Sequence, residues 1–216
     1  MKAPQQALRS VVASLAKRVS LRWYWKLRAR DIDARWGKDT ADHALIARMI
    51  DAAHARSVLY IGCGTGRLFP VYLNTGVQEV LGQDVSRWAL REARRRFPQA
   101  IFHFTHEALT KLESAPGPFD LCVSNRVLSA VPPQEISRTL RKLASVAKHL
   151  YLNEYSTSDG GQSSNYWFMH DYLALLRRHA EHTCLEQGRL ANATYYLVRI
   201  DSLKPIVSEP GGMDFR

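Results

Sequence analysis

Residues 57–61 read S-V-L-Y-I and run directly into G-C-G-T-G, with glycines at 62, 64 and 66. A short, β-branched apolar run is the mark of a strand buried on both faces. Glycines at its end let the backbone turn sharply and approach a neighbouring group closely. A strand that stops in such a turn and leads into a helix opens an α/β sheet. The rest of the chain repeats the alternation.

Helical patterns are expected near 67–73, 86–97 and 133–148, and strands at 79–84, 100–104, 119–125 and 149–155. Ser86 suits an N-cap, and Ala89, Ala93 and Phe97 mark an inner helix face opposite Arg87, Arg91, Arg94 and Arg95. A polar loop follows at 156–165, then a helix over 166–179 and two strands near 184–187 and 194–200. Strands alternating with helices predict a Rossmann-like, doubly wound, seven-stranded and mostly parallel sheet with helices on both faces. Ligands of such sheets bind beyond the carboxyl ends of the strands.

The 216 residues carry a net charge of +10, from 30 Lys and Arg against 20 Asp and Glu. A basic excess invites a nucleic-acid or membrane reading. Its distribution argues otherwise. Residues 1–30 hold eight basic and no acidic side chains, and the remaining 186 hold 22 and 20. Leu8, Val12, Leu15, Val19, Trp23 and Leu27 recur at helical spacing beside a row of Arg18, Arg22, Lys26 and Arg30. This predicts an amphipathic arm that either packs on the domain or meets a polyanion, membrane surface or acidic substrate. The expected organisation is a helical cap over 1–55, a catalytic domain over 56–203 and an irregular tail over 204–216.

Cys63, Cys122 and Cys184 are widely spaced and form no C-x-x-C pair, which suits a reducing compartment. The start is too weakly apolar for a secretory signal, and no run is long enough for a membrane span. The expected location is cytoplasmic.

The glycine spacing excludes two phosphate sites. A dinucleotide loop wants its third glycine at 67, where this chain has Arg67, and a P-loop wants Gly-Lys-Ser/Thr, where it has Gly66-Arg67-Leu68. Asp84 ends the second strand, 18 residues after Gly66. A carboxylate there can take both hydroxyls of a ribose.

The segments V-L-Y-I-G-C-G-T-G-R-L (58–68), V-L-G-Q-D-V-S (80–86) and F-D-L-C-V-S-N-R-V-L (119–128) together resemble a class I S-adenosylmethionine-dependent methyltransferase. The resemblance implies S-adenosyl-L-methionine as methyl donor and no metal. It implies that Gly62, Cys63, Gly64 and Gly66 shape the turn against the methionyl and ribosyl parts. Asp84 would hold the ribose, Val85 and Ala108 would flank the adenine, and Asn125 would line the methionine end. Glu107 either contacts the adenine amino group or is an exposed loop acid. The family usually has an acidic residue at position 60, near the donor's ammonium group, and this chain has Tyr60. Compensation by a carboxylate such as Glu154 is one expectation, and a degenerate, non-catalytic pocket is another.

Methyl transfer from a sulfonium needs positioning more than a fixed catalytic group. His170 and Glu154 are the candidates for a base, and Tyr155, Tyr166 and Trp167 for acceptor contacts. Ser124-Asn125-Arg126-Val127 is not an N-P-P-Y loop, there is no Pro-Cys nucleophile, and no carboxylate trio suggests a metal-assisted mechanism. A small-molecule acceptor methylated at oxygen or nitrogen is expected. RNA, a protein or a lipid-linked molecule are the alternatives, with nucleic acid reached through the basic arm. Oligomeric state stays open at this level.

Overall fold

The computed structural model describes residues 21–109, 112, 117–157 and 167–205, with side chains from 24 onward. Helix α1 (Leu21–Trp36) and helix α2 (His43–Ala52) precede the sheet. Then come β1 (Ser57–Ile61), α3 (Phe69–Leu73), β2 (Glu79–Gln83), α4 (Arg87–Arg96), β3 (Phe102–Thr105) and β4 (Phe119–Asn125). A 3₁₀ turn (Leu128–Ala130), α5 (Pro133–Val146), β5 (Ala147–Glu154), α6 (Tyr172–Arg177), β6 (Ala180–Leu190) and β7 (Ala193–Leu203) complete the chain.

The seven strands lie in the order β3-β2-β1-β4-β5-β7-β6. The first five are parallel, and β7 runs antiparallel to both β5 and β6. The mostly parallel, doubly wound sheet expected from the sequence is what forms. The order reverses at β1, whose neighbours are β2 and β4. Their carboxyl ends therefore diverge into a crevice, the position from which such sheets bind ligands.

Each face of the sheet has its own core. On one, Ile46, Met49 and Ile50 of α2 pack with Phe69 and Tyr72 of α3 and Leu90 and Ala93 of α4. On the other, Ile136, Leu140 and Leu143 of α5 pack with Tyr172 and Leu176 of α6. The central strands contribute to both, so β1 and β4 are buried along nearly their whole length. Ser86 caps α4 through a hydrogen bond from the Ala89 amide, 3.3 Å.

Three expectations change. The helix expected over 166–179 begins only at Tyr172. The Phe168 amide donates to the Ser129 carbonyl at 2.7 Å, Thr157 to His170 at 3.2 Å, and these bonds keep 168–170 extended until Asp171 caps the helix. The last two strands are longer than expected and form one hairpin.

The third change concerns the arm. The apolar stripe expected through Leu27 does not set the inward face of α1 there, because Leu27 is 58% exposed. The face that borders the cleft carries Trp25 and Ala29 instead, with Ile32 and Trp36, 37% and 48% exposed, at its rim, all spaced by three and four. Arg30 lies over the Trp88 ring at 5.4 Å. Residues 8–20 of the expected stripe lie outside the described residues. Among those described, no helix is long and apolar enough to cross a membrane.

Candidate functional site

A cleft of about 1220 Å³ opens at the carboxyl ends of β1, β2, β4 and β5. Pockets for one drug-sized ligand run from about 300 to about 1,000 Å³, so this one has room for two small molecules. Tyr60, Gly62, Cys63, Gly64, Asp84, Val85, Ala108, Asn125, Tyr155 and Trp167 all border it.

The glycine turn forms one end. Gly62, Gly64 and Gly66 have φ of +57°, +56° and +89°, a region that side chains disfavour. A Cβ on Gly62 would sit 2.4 Å from a Val127 methyl, so this turn and the turn after β4 interlock. A Cβ on Gly64 would meet nothing within 4 Å, so that backbone faces open space in the cleft wall.

The turn's amides are largely satisfied from within the protein. Gly62 donates to the Gln83 side chain at 3.2 Å, Cys63 to the Gln83 carbonyl at 2.9 Å, and Gly66 to the Cys63 carbonyl at 3.0 Å. Gly64 donates to Asp84 at 3.0 Å, and Ser86 donates to the other Asp84 oxygen at 2.7 Å. A diphosphate cradle needs such amides free. This turn instead presents a carboxylate beside exposed backbone, which suits an uncharged sugar with hydroxyls. Burial pushes the Asp84 carboxyl above its ordinary value, and the two amides together with the nearby His106 pull it back only in part. Burial likewise drives the Cys63 thiol well up, which makes a nucleophilic role for it unfavourable.

Tyr60 is buried against Phe69 and Tyr72, and burial raises its phenol strongly. The nearest charge comes from outside β1. Asp42, just before α2, receives both guanidinium nitrogens of Arg67 at 2.6 and 2.7 Å and a bond from the Asn125 amide. Burial works to raise Asp42, and Arg67 more than offsets it, so its carboxyl lies below the ordinary value. Asp42 and Arg67 both border the cleft. Sequence reading passed over Asp42, and noticed Arg67 only as a residue that breaks a dinucleotide motif.

Helix α1 roofs the cleft. Its Asp33 accepts from Thr65 in the glycine turn and from Arg96 of α4 at 2.8 and 2.7 Å. Tyr155 and Trp167 meet edge to face at 5.5 Å, and Trp25 of α1 meets Trp167 at 5.1 Å.

Four sequence candidates sit elsewhere. Gly66 packs on Phe69 and Phe97 behind the turn. Glu107 does not border the cleft, and its carbonyl takes the Gln83 side-chain amide. Glu154 is fully buried and saturated by Ser124 Oγ (2.5 Å), the amides of Val127, Leu128 and Ser129 (2.9, 3.1 and 3.0 Å) and Ser129 Oγ (2.7 Å). It has no oxygen left for an ammonium group, so the expected compensation for Tyr60 does not come from it. His170 is buried against Tyr172 with Nε2 on the Val131 carbonyl at 2.9 Å, and burial lowers its pKa. It does not border the cleft. Tyr166 lies outside the described residues.

Residues 58–149 match a family model described as a methyltransferase domain. No curated protein matches the chain by sequence. The fold is similar to that of an S-adenosylmethionine-dependent methyltransferase from Clostridium acetobutylicum, with a TM-score of 0.63 and 12% identity over 80% of this chain and 97% of that one. It is similar to magnesium protoporphyrin IX methyltransferase from Synechocystis with bound S-adenosylmethionine (TM-score 0.59, 21% identity, 79% and 82% covered). It is also similar to N-methyltransferase NodS from Bradyrhizobium japonicum in complex with S-adenosylhomocysteine (TM-score 0.57, 16% identity, 74% and 86% covered). The glycine turn at the strand-order reversal lies inside the segment that matches the methyltransferase-domain model, and the chain shares the fold of these methyltransferases.

Proposed function

We propose that the protein binds S-adenosylmethionine in the β1–β2 end of the cleft and transfers its methyl group to an oxygen or nitrogen of a small-molecule acceptor at the β4–β5 end. The observation that carries this reading is the pairing of Asp84 with the open Gly64 backbone on one wall of a cleft roofed by α1. Asp84 uses one lone-pair direction per oxygen on Gly64 and Ser86, and a carboxylate has directions left for ribose hydroxyls. Val85 and Ala108 offer the apolar flanks for a base. Asp42 and Arg67 offer one charge of each sign to the ammonium and carboxylate of the donor's amino-acid end, in place of the acidic residue missing at Tyr60.

The donor supplies an activated methyl group. The protein's part is to orient the acceptor and exclude water, and α1 with Trp25 and Trp36 covers the cleft for that purpose. His170 and Glu154 are committed elsewhere, so the proposal rests on positioning and not on a dedicated base. The roof also favours a small acceptor over a folded RNA.

Calorimetry with S-adenosylhomocysteine tests the reading. Binding in the micromolar range is expected, and Asp84→Ala should weaken it by about 1–3 kcal/mol, the scale of a lost hydrogen bond to a charged group. Absence of binding at millimolar ligand would sink it, and an unchanged affinity in the variant would place the ribose elsewhere.

A further inference from the structure

The inference that follows rests on the methyltransferase reading and concerns the acceptor. It begins at Arg126, directly after β4. This residue has a φ of +58°, a left-handed conformation that costs a non-glycine residue about 1 kcal/mol. The surroundings fix it there. Its amide donates to the Asn153 carbonyl at 2.8 Å, and the next three amides all end on Glu154. The result is a guanidinium on the cleft wall, 5.7 Å from the Tyr155 ring centre, with a weak bond to Asn192 Oδ1 at 3.3 Å.

Both partners are neutral. Among the described residues, Arg126 and Arg35 of α1 form no ion pair, whereas Arg67 and Arg28, which also border the cleft, hold Asp42 and Asp31. The cleft's carboxylates are also spoken for. Asp33, Asp42 and Asp84 have the partners given above, Asp39 accepts the Ala41 amide at 3.0 Å, and Glu135 sits in the first turn of α5, where the helix dipole favours it.

A second, independent observation comes from α1. Among the described residues, the buried Trp25 indole Nε1 has no hydrogen-bond partner. A buried donor without a partner costs about 1–3 kcal/mol and calls for an explanation. Trp25 borders the cleft, and its ring joins Trp167 and Tyr155 in an edge-to-face series. Three aromatic surfaces and a guanidinium without a carboxylate thus meet in the acceptor half.

We propose that the acceptor is a planar aromatic molecule bearing an oxyanion, its ring packed on Trp25, Trp167 and Tyr155 and its anionic group held by Arg126. Guanidinium pairs strongly and directionally with carboxylate and phosphate alike.

The test uses full-length protein saturated with S-adenosylhomocysteine and titrated with matched probes. The pairs are 4-hydroxybenzoate against 4-hydroxybenzamide, phenyl phosphate against phenol, and benzoate against cyclohexanecarboxylate. At least one anion is expected to bind about tenfold or more tighter than its neutral partner, the scale of a charge-assisted hydrogen bond. Arg126→Gln should erase that preference, Arg126→Lys should keep part of it, and Trp167→Leu should erase the preference for the aromatic ring. In each variant the S-adenosylhomocysteine affinity should stay within about twofold, which also shows that the variant folds. The proposal is overturned if neutral and anionic probes bind alike or none binds at millimolar concentration. It is equally overturned if Arg126→Gln weakens S-adenosylhomocysteine and leaves the probe preference intact, because Arg126 would then serve the donor. Absence of S-adenosylhomocysteine binding in the parent protein would defeat the methyltransferase reading itself, a different result.

Discussion

The two ends of the cleft are built by different means. The β1–β2 end comes from one stretch of about two dozen residues, in which a turn at Gly62, Gly64 and Gly66 is tied to Gln83 and Asp84 of the next strand. The β4–β5 end is assembled from α1, the turn after β4, the end of β5 and the segment at Trp167, with Glu154 tying the turn to β5 and Trp167 meeting Trp25 and Tyr155. A local device depends on backbone conformation. An assembled one depends on a few long-range bonds, and each of those is a point of failure. The two ends should therefore respond to different substitutions.

The largest effect is expected at Glu154. Glu154→Ala strands five donors in the interior and should lower unfolding free energy by about 4 kcal/mol in a urea titration. The folded fraction should bind S-adenosylhomocysteine within about threefold of the parent, given a cost confined to the acceptor end. A variant as stable as the parent would break the comparison. Next comes Gly62→Ala. It combines a positive φ with a methyl pressed on Val127, worth together about 3 kcal/mol, and should abolish S-adenosylhomocysteine binding in calorimetry before it unfolds the chain.

A control lies at the opposite edge of the same strands. Asp120, at the start of β4, accepts from the Arg56 and Ser57 amides, both at 3.0 Å, from Ser57 Oγ at 3.1 Å and from Lys148 at 2.8 Å. Burial works to raise its carboxyl, but these donors hold it down to about 2. The ordinary value is about 3.9, so the folded form releases this proton more readily than the unfolded chain. The stabilisation, about 2 kcal/mol, is complete above the unfolded value and fades as pH falls toward the folded one. Asp120→Asn should remove that part of the acid dependence of thermal unfolding and leave ligand affinity unchanged. The smallest effect is expected at Asp33, which links the two ends. Asp33→Ala should cost about 1 kcal/mol of stability, as for a partly exposed ion pair, and should raise the S-adenosylhomocysteine off-rate measured by stopped flow. An unchanged off-rate would separate the roof from the glycine turn.

The same contrast explains what the sequence disclosed. Strand order, the glycine turn and the place of Asp84 follow from local patterns, because turns and buried strands leave contiguous signatures. Ten of the residues named from the sequence border one cleft for that reason. Asp42, Asp33 and the orphan Trp25 N–H act across the fold. No spacing links Asp33 to Thr65 and Arg96, since the approach is created by the docking of α1. Glu154 shows the opposite error. It follows a buried strand, as a site residue should, yet four backbone and hydroxyl donors of one turn and Ser124 claim it entirely. The arm's stripe departs from expectation at Leu27, where the cleft beneath α1 takes Trp25 and Ala29 instead.

Asp33 has a consequence for traffic through the molecule. The roof formed by α1 rests on Thr65 of the glycine turn. Lifting α1 must unhook that turn and release Arg96 in the same movement. The two sites proposed in the cleft would then share one door, whose polar latch is Asp33 beside the ring contacts of Trp25 and Arg30.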